Sequence, residues 1–209
     1  MKKRRNYYPK RLQVSPKGDD RVLRNLKKCY TEDEHFSYAE FGIYKGATAE
    51  KVLETFPNAN VHLFDFERNI TEAQVRLMKY QSRITFYENS LAYLDSYNWN
   101  LMHLLKQEKR EFFDYVFLDG AHVWAVDGLT FFLCDMLLSQ GGYIEFDDVD
   151  WTLRGSSLDP KKNKSTKKFY TEEQIDATQV ELIIELLVKK SGKYKEISEN
   201  RLFKKFKLP

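Results

Sequence analysis

Two hundred and nine residues, 42% hydrophobic and 15% aromatic, suffice for one core of ordinary size, which excludes wholesale disorder and a disulfide-stapled miniprotein. Thirty-four Lys and Arg against thirty-one Asp and Glu leave a net charge of +3, too near balance to argue for a nucleic-acid binder. The balance conceals an asymmetry: residues 1–30 carry eleven basic and two acidic side chains, residues 31–150 nine and twenty-one, residues 151–209 fourteen and eight.

Residues 1–20 read as a basic arm, and RVLRNLKKCY after them has a weak helical stripe. From residue 36 strands and helices alternate. FSYAEFGI reads as a strand ending at a glycine, ATAEKVLETF as a helix, and VHLFDF as a second strand after the turn PNAN. TEAQVRLMKY follows as a helix with Thr71 in the N-cap position, RITFYE as a third strand, and SLAYLDSYNWNLMHLLKQEK as a long helix. DYVFLD is a fourth strand, VWAVDGLTFFLCDMLL a helix, and GGYIEFDD a Gly-Gly stop with a fifth strand behind it. Five strands spaced by helices predict βαβ crossovers and a parallel sheet.

The lysine-rich stretch WTLRGSSLDPKKNKSTKKFY breaks this rhythm and reads as a lid-like loop at 151–170. TEEQIDATQVELIIELLVKK predicts one amphipathic helix capped by Thr171, and KYKEISENRLFKKFK a terminal antiparallel hairpin around Glu199-Asn200. The predicted organisation is a basic arm and helix at 1–30 and a single domain at 31–209. Cys29 and Cys134 fit no metal-binding spacing, and LTFFLCDMLL is half a membrane span and contains Asp135. The expectation is a soluble, cytoplasmic protein.

In an open parallel sheet, ligands bind at the carboxyl ends of the strands. The first such turn, Glu40-Phe41-Gly42-Ile43-Tyr44-Lys45-Gly46, offers two glycines and a helix N-terminus, although it lacks the middle glycine of a dinucleotide fingerprint. Strand two ends at Asp65, where a carboxylate can accept ribose hydroxyls, with Glu67 close behind. Strand three ends in Glu88-Asn89-Ser90, placed for an adenine edge or for capping the next helix. DYVFLDGAH sets Asp119 after a strand and His122 three residues on, and GGYIEFDD sets Asp147 and Asp148 at the end of the following one. Neighbouring strands bring such ends to about 5 Å, and like charges that close call for a proton or a cation. An all-oxygen set selects Mg²⁺, or Mn²⁺ or Ca²⁺, over zinc. Helix capping by Asp119 and a solvated loop at Asp147 and Asp148 are the alternative reading. Beside a bound hydroxyl, His122 is the natural proton acceptor.

AEFGIYKGATAEKVL, VHLFDFE and FDYVFLDGAHVWAVDGLTFFLCDMLLSQGGYIEFDDVDW resemble the Rossmann-fold S-adenosylmethionine-dependent methyltransferases, and among them the metal-dependent macrocin-type sugar O-methyltransferases. The resemblance covers about residues 36–151. It implies a doubly wound α/β sheet, mostly parallel, with a C-terminal antiparallel hairpin, the seven-stranded methyltransferase architecture. It also implies that Glu40, Gly42, Tyr44 and Gly46 line the methionine end of S-adenosylmethionine, that Asp65 holds the ribose, and that Asn89, Ser90 and Asp119 complete the cofactor site. Asp119, Asp147 and Asp148 match Mg²⁺ ligands, and His122 matches a general base. Tyr44 stands where many methyltransferases have a second glycine, and the chain is shorter than the macrocin-type enzymes.

The expected function is O-methylation of a hydroxyl on a sugar or small metabolite, with Mg²⁺ or Mn²⁺, the 151–170 loop closing over the acceptor and Trp124 and Trp151 available to stack on it. Two alternatives stand beside it: a methyltransferase for RNA or another polyanion, disfavoured by the acidic site mouth, and a non-catalytic interaction subunit. Self-association is compatible with all three, and no membrane partner is expected.

Overall fold

The computed structural model describes residues 18–90 and 96–206. Among them two compact units separate, 18–151 with 178–206, and 152–177.

The larger unit is built on a seven-stranded sheet. Helix α1 (Asp20–Cys29) leads into β1 (Ser37–Phe41), α2 (Ala47–Thr55), β2 (Asn60–Phe66), α3 (Glu67–Arg76), β3 (Ile84–Asn89), α4 (Tyr97–Lys106) and β4 (Phe113–Leu118). A π turn (Trp124–Gly128) runs into α5 (Leu129–Leu137) and then β5 (Leu138–Phe146). The strand order is β3-β2-β1-β4-β5-β7-β6, with β6 (Tyr194–Ser198) and β7 (Leu202–Lys205) forming the terminal hairpin. The first five strands pair in parallel, and β7 alone runs against both neighbours. Strand order reverses between β1 and β4, so the crevice of a doubly wound sheet opens beyond Phe41 and Leu118.

Alternation along the strands divides the apolar side chains between two cores. Ala39, Phe41, Val116, Leu118, Ile144 and Phe146 pack on the face that α4 and α5 cover. Tyr38, Val61, Leu63, Tyr115 and Phe117 pack on the other, beneath α1, α2 and α3. Strands buried on both faces must read as near-continuous apolar runs, as DYVFLD and VHLFDF do. Two carboxylates break the second core, Glu40 at 2% exposure and Glu145 at 0%. Both carry partners: Tyr38 donates to Glu40 Oε2 at 3.1 Å, while Glu145 accepts from the Tyr115 hydroxyl and from Asn25 Nδ2 at 2.8 Å.

Several elements differ from the sequence expectation. Helix α3 starts at Glu67, and Thr71 lies inside it with its hydroxyl donating to the Glu67 carbonyl at 3.0 Å. The fourth helix begins at Tyr97 with Ser96 as its N-cap; residues 91–95 of the predicted longer helix lie outside the described residues. The Gly-Gly pair is no stop, because β5 already begins at Leu138. Between the pairs Phe113↔Leu138 and Tyr115↔Tyr143 the register shifts, and β5 carries three more residues than β4. Gly142 fits this bulge because a Cβ there would stand 2.9 Å from the Asp114 carbonyl oxygen.

The predicted 171–190 helix is broken. Thr171 is the expected N-cap, in a capping box with Gln174 on α7 (Glu172–Asp176), but Ala177 is extended, and the chain restarts as α8 (Gln179–Ile183) with a π turn at Ile184–Val188. In the smaller unit, α6 (Thr166–Phe169) precedes α7. Arg154 joins that unit's ends, donating to Asp176 at 2.6 and 2.9 Å and to Glu172 at 2.8 Å, and Asp159 accepts from Gly155 and Lys161. The 152–170 stretch thus has internal bonding that its lack of periodicity concealed. Among the described residues no helix is long and apolar enough to cross a membrane.

Candidate active site

The strand ends at the crevice are stitched by one ladder-like set of backbone bonds. Gly42 N–H donates to Phe64 O, Asp119 N–H to Phe41 O and Asp147 N–H to Leu118 O, each at 2.9 Å. Close approach is obligatory here: a Cβ on Gly42, whose φ is +88°, would stand 1.8 Å from the Asp119 carbonyl oxygen. Only glycine fits, which is the physical content of the Glu40-Phe41-Gly42 pattern.

Beyond Gly42 the chain turns through Tyr44 (φ +50°) and Gly46 (φ +72°) into α2, whose N-terminus no side chain caps. Asp65, 3% exposed, closes this turn from β2: its Oδ2 accepts the Tyr44 N–H at 2.8 Å, and its Oδ1 accepts from Phe66 N at 2.6 Å and Asn69 Nδ2 at 2.9 Å. Burial raises its pKa against these donors. Glu40 lies behind, pushed up to about 8 by burial, with the negative charges of Asp65 and Asp19 adding to it and the Tyr38 hydroxyl opposing. Two buried carboxyl groups thus lie at adjacent strand ends, and a cation bound beside them would stabilise their ionised forms. The ammonium and sulfonium groups of S-adenosylmethionine fit that demand. Asn89 is buried at the end of β3 and Ser90 beside it is exposed.

On the other side of Gly42, Asp119, His122 and Asp148 gather. Their ligand atoms all lie within 4.8 Å of one another. His122 Nε2 is 3.3 Å from Asp148 Oδ2 and 3.9 Å from Asp119 Oδ1, and its ring centroid is 5.2 Å from that of Trp151. Burial holds the Asp119 carboxyl well above the usual carboxylate range, reinforced by Asp147, Glu40 and Asp148. A divalent cation would offset that accumulation of charge: Asp119 and Asp148 supply the oxygen ligands that Mg²⁺ or Mn²⁺ takes, whereas the His122 imidazole in place of Asp147 departs from the all-oxygen set expected.

Asp147 is directed elsewhere. Its Oδ1 accepts from Arg21 Nη2 at 2.9 Å and lies 3.7 Å from Arg201 Nη1. Arg21 also pairs with Asp19 at 2.7 Å and with the buried Glu145 at 3.2 Å. The structure therefore brings two of the three expected cation ligands, Asp119 and Asp148, together with the expected base His122, and ties the third ligand, Asp147, to Arg21 of α1.

The backbone here is strained. Of the six non-glycine residues with positive φ among those described, Tyr44, His122 and Asp148 belong to this crevice. Such conformations cost roughly 1–2 kcal/mol per residue and persist where surrounding contacts enforce them. Trp124, 41% exposed, sits one turn away, its backbone N–H donating to Gln179 Oε1 at 2.8 Å.

Arg21 and Asp127 escaped the sequence reading. Arg21 sat in a weakly patterned basic stretch; Asp127 left a signal, a lone carboxylate inside the apolar run VWAVDGLTFF.

No family model matches the chain, and no curated protein sequence matches it either. Solved structures do match. A Staphylococcus aureus protein described as a caffeoyl-CoA O-methyltransferase is 16% identical, with a TM-score of 0.59 over 92% of this chain and 86% of its own. An O-methyltransferase family protein from Burkholderia thailandensis gives 15% identity and a TM-score of 0.53 over 90% of this chain and 57% of that one, so this chain spans little more than half its length. A SAM-dependent methyltransferase from Aquifex aeolicus gives 14% and 0.50, over 88% and 86%. At these identities the likeness is one of fold: the chain has the seven-stranded sheet of methyltransferase structures, with its reversed seventh strand.

Proposed function

We propose that the protein is an S-adenosylmethionine-dependent O-methyltransferase that uses a divalent cation, Mg²⁺ or Mn²⁺, to act on a hydroxyl of a sugar or similar small metabolite, as in the macrocin-type branch. The observation that carries this reading is the convergence of Asp119, His122 and Asp148 beyond the ends of β4 and β5, with the Asp119 backbone packed directly against Gly42.

In this reading the Gly42–Gly46 turn and Glu40 receive the methionine end of the cofactor, Asp65 the ribose, and Asn89 and Ser90 the adenine side. Asp119 and Asp148 hold the cation, with Asp147 beside them. S-adenosylmethionine supplies an activated methyl group and the cation supplies Lewis acidity toward a hydroxyl. The chain's own work is positioning and proton transfer. His122 Nε2 accepts the hydroxyl proton, and an imidazole suits that task near neutral pH. Trp151, against the His122 ring, offers an apolar face to an acceptor ring. Holding the hydroxyl in line with the methyl group replaces a bimolecular encounter by a unimolecular step.

Calorimetry with S-adenosylmethionine, alone and with Mn²⁺, tests the reading first, followed by transfer of labelled methyl groups to a panel of sugar hydroxyls. His122→Ala should lower turnover by about 10²-fold or more while S-adenosylmethionine affinity holds; Asp148→Asn should weaken Mn²⁺ binding. Absence of cofactor binding, or turnover indifferent to both substitutions and to chelators, would sink it.

A further inference from the structure

The turn that carries Asp119 and His122 rests on a buried carboxylate that the proposed chemistry does not use. Asp127, 5% exposed in the π turn, accepts the Ala121 N–H on Oδ1 at 3.1 Å and the His122 N–H on Oδ2 at 2.6 Å. The turn is wrapped tightly around it: a Cβ on Gly120 would stand 2.6 Å from Asp127 Oδ1. The shelf is itself tied down. Val126 O accepts from Asn98 Nδ2 at 3.2 Å and from the Thr130 hydroxyl at 2.9 Å, and Trp124 N–H is held by Gln179. Three helices, α4, α5 and α8, thereby fix one carboxylate.

That carboxylate acts on the backbone, and the backbone aims the side chain. His122 has φ +58°, a conformation uncommon outside glycine. Two N–H groups directed at one buried anion hold it, and the held conformation turns Nε2 toward Asp148 and Asp119. π turns occur frequently at functional sites, and here the one that opens α5 delivers Asp127 to the strand-end turn.

We propose that Asp127 is a positioning residue: it locks His122 in its left-handed conformation at the end of the Asp119–His122 turn and so sets the spacing of His122 from Asp119 and Asp148. Its consequence for catalysis rests on the methyltransferase reading, whereas the lock itself does not.

Hydrogen exchange on the full wild-type chain reads the lock directly. The Ala121 and His122 amides, although in a loop, should exchange at least 100-fold more slowly than unstructured amides; unprotected amides would overturn the proposal. Asp127→Asn keeps size but presents an amide donor to one of the two N–H groups. The ring resonances of His122 should move in this variant, Mn²⁺ affinity by electron paramagnetic resonance should fall at least tenfold, and S-adenosylmethionine affinity should stay within threefold. Unmoved ring resonances or unchanged Mn²⁺ affinity would overturn the proposal. Should Asp127→Asn not fold, Gly120→Ala, which crowds the same carboxylate, must produce the same ring shift. If the wild-type protein binds neither cofactor nor Mn²⁺, the enzymatic reading fails while exchange and ring resonances still decide the lock.

Discussion

Arg21 and Asp147 are 126 positions apart in the chain and 2.9 Å apart in space. The guanidinium of α1 thereby neutralises one carboxylate at the end of β5 and, through Glu145, another within the core. The first helix is part of the site's electrostatics.

Removing this guanidinium takes an ion-pair partner from three carboxylates, Asp19, Asp147 and the wholly buried Glu145, of which Glu145 keeps its bonds from Tyr115 and Asn25. Breaking such a pair from one side is far costlier than never having built it. Arg21→Ala should destabilise the protein by about 2 kcal/mol or more, seen in urea denaturation, and Mn²⁺ should restore more stability to the variant than to wild type. A variant as stable as wild type without metal would refute this account.

Glu40 predicts a pH dependence. Its carboxyl is raised from an ordinary 4.5 to about 8, so the folded state keeps a proton that the unfolded state releases. Stability from this group is present below about pH 4.5 and is lost progressively as pH rises to about 8. Glu40→Gln escapes that loss. Its melting temperature relative to wild type should climb between pH 5 and pH 8.5, by on the order of 1 kcal/mol in stability or more. A difference independent of pH would count against it.

Gly42→Ala tests the close approach of β1 to β4. The added Cβ meets backbone, which cannot swing aside, and the φ of +88° disfavours any other residue. A loss above about 2 kcal/mol is the expectation, together with weakened S-adenosylmethionine binding.

The smaller unit should respond locally. Arg154→Ala removes the bonds to Glu172 and Asp176, so amides of 152–177 should exchange faster and proteolysis should begin there. The melting of the sheet unit should not move. A change spread over the sheet would show that Arg154 does more than bind its own unit.

Much of the sheet was readable because strands buried on both faces leave continuous apolar runs, and because the glycines and aspartates at their ends interrupt those runs abruptly. Asp119, His122 and Asp148 were legible as a group for that reason. The partner of Asp147 was not: a contact across 126 residues leaves no local trace, and Arg21 looks like any other basic residue of the N-terminal stretch. Asp127 carried a faint mark, a charge where the helical pattern wanted an apolar residue. The misplaced Gly-Gly stop has a different cause, since glycine marks helix ends and strand bulges alike.

The pairing of β7 with β5 has a consequence for biosynthesis. Leu202 and Phe203 close the second edge of the strand that carries Glu145, and Arg201 stands beside Asp147. A chain emerging from the ribosome cannot finish its acidic crevice when β5 appears. Some fifty-five further residues must follow first, and until then the edge of β5 stands open to solvent and to chaperones, with Arg21 alone beside Asp147.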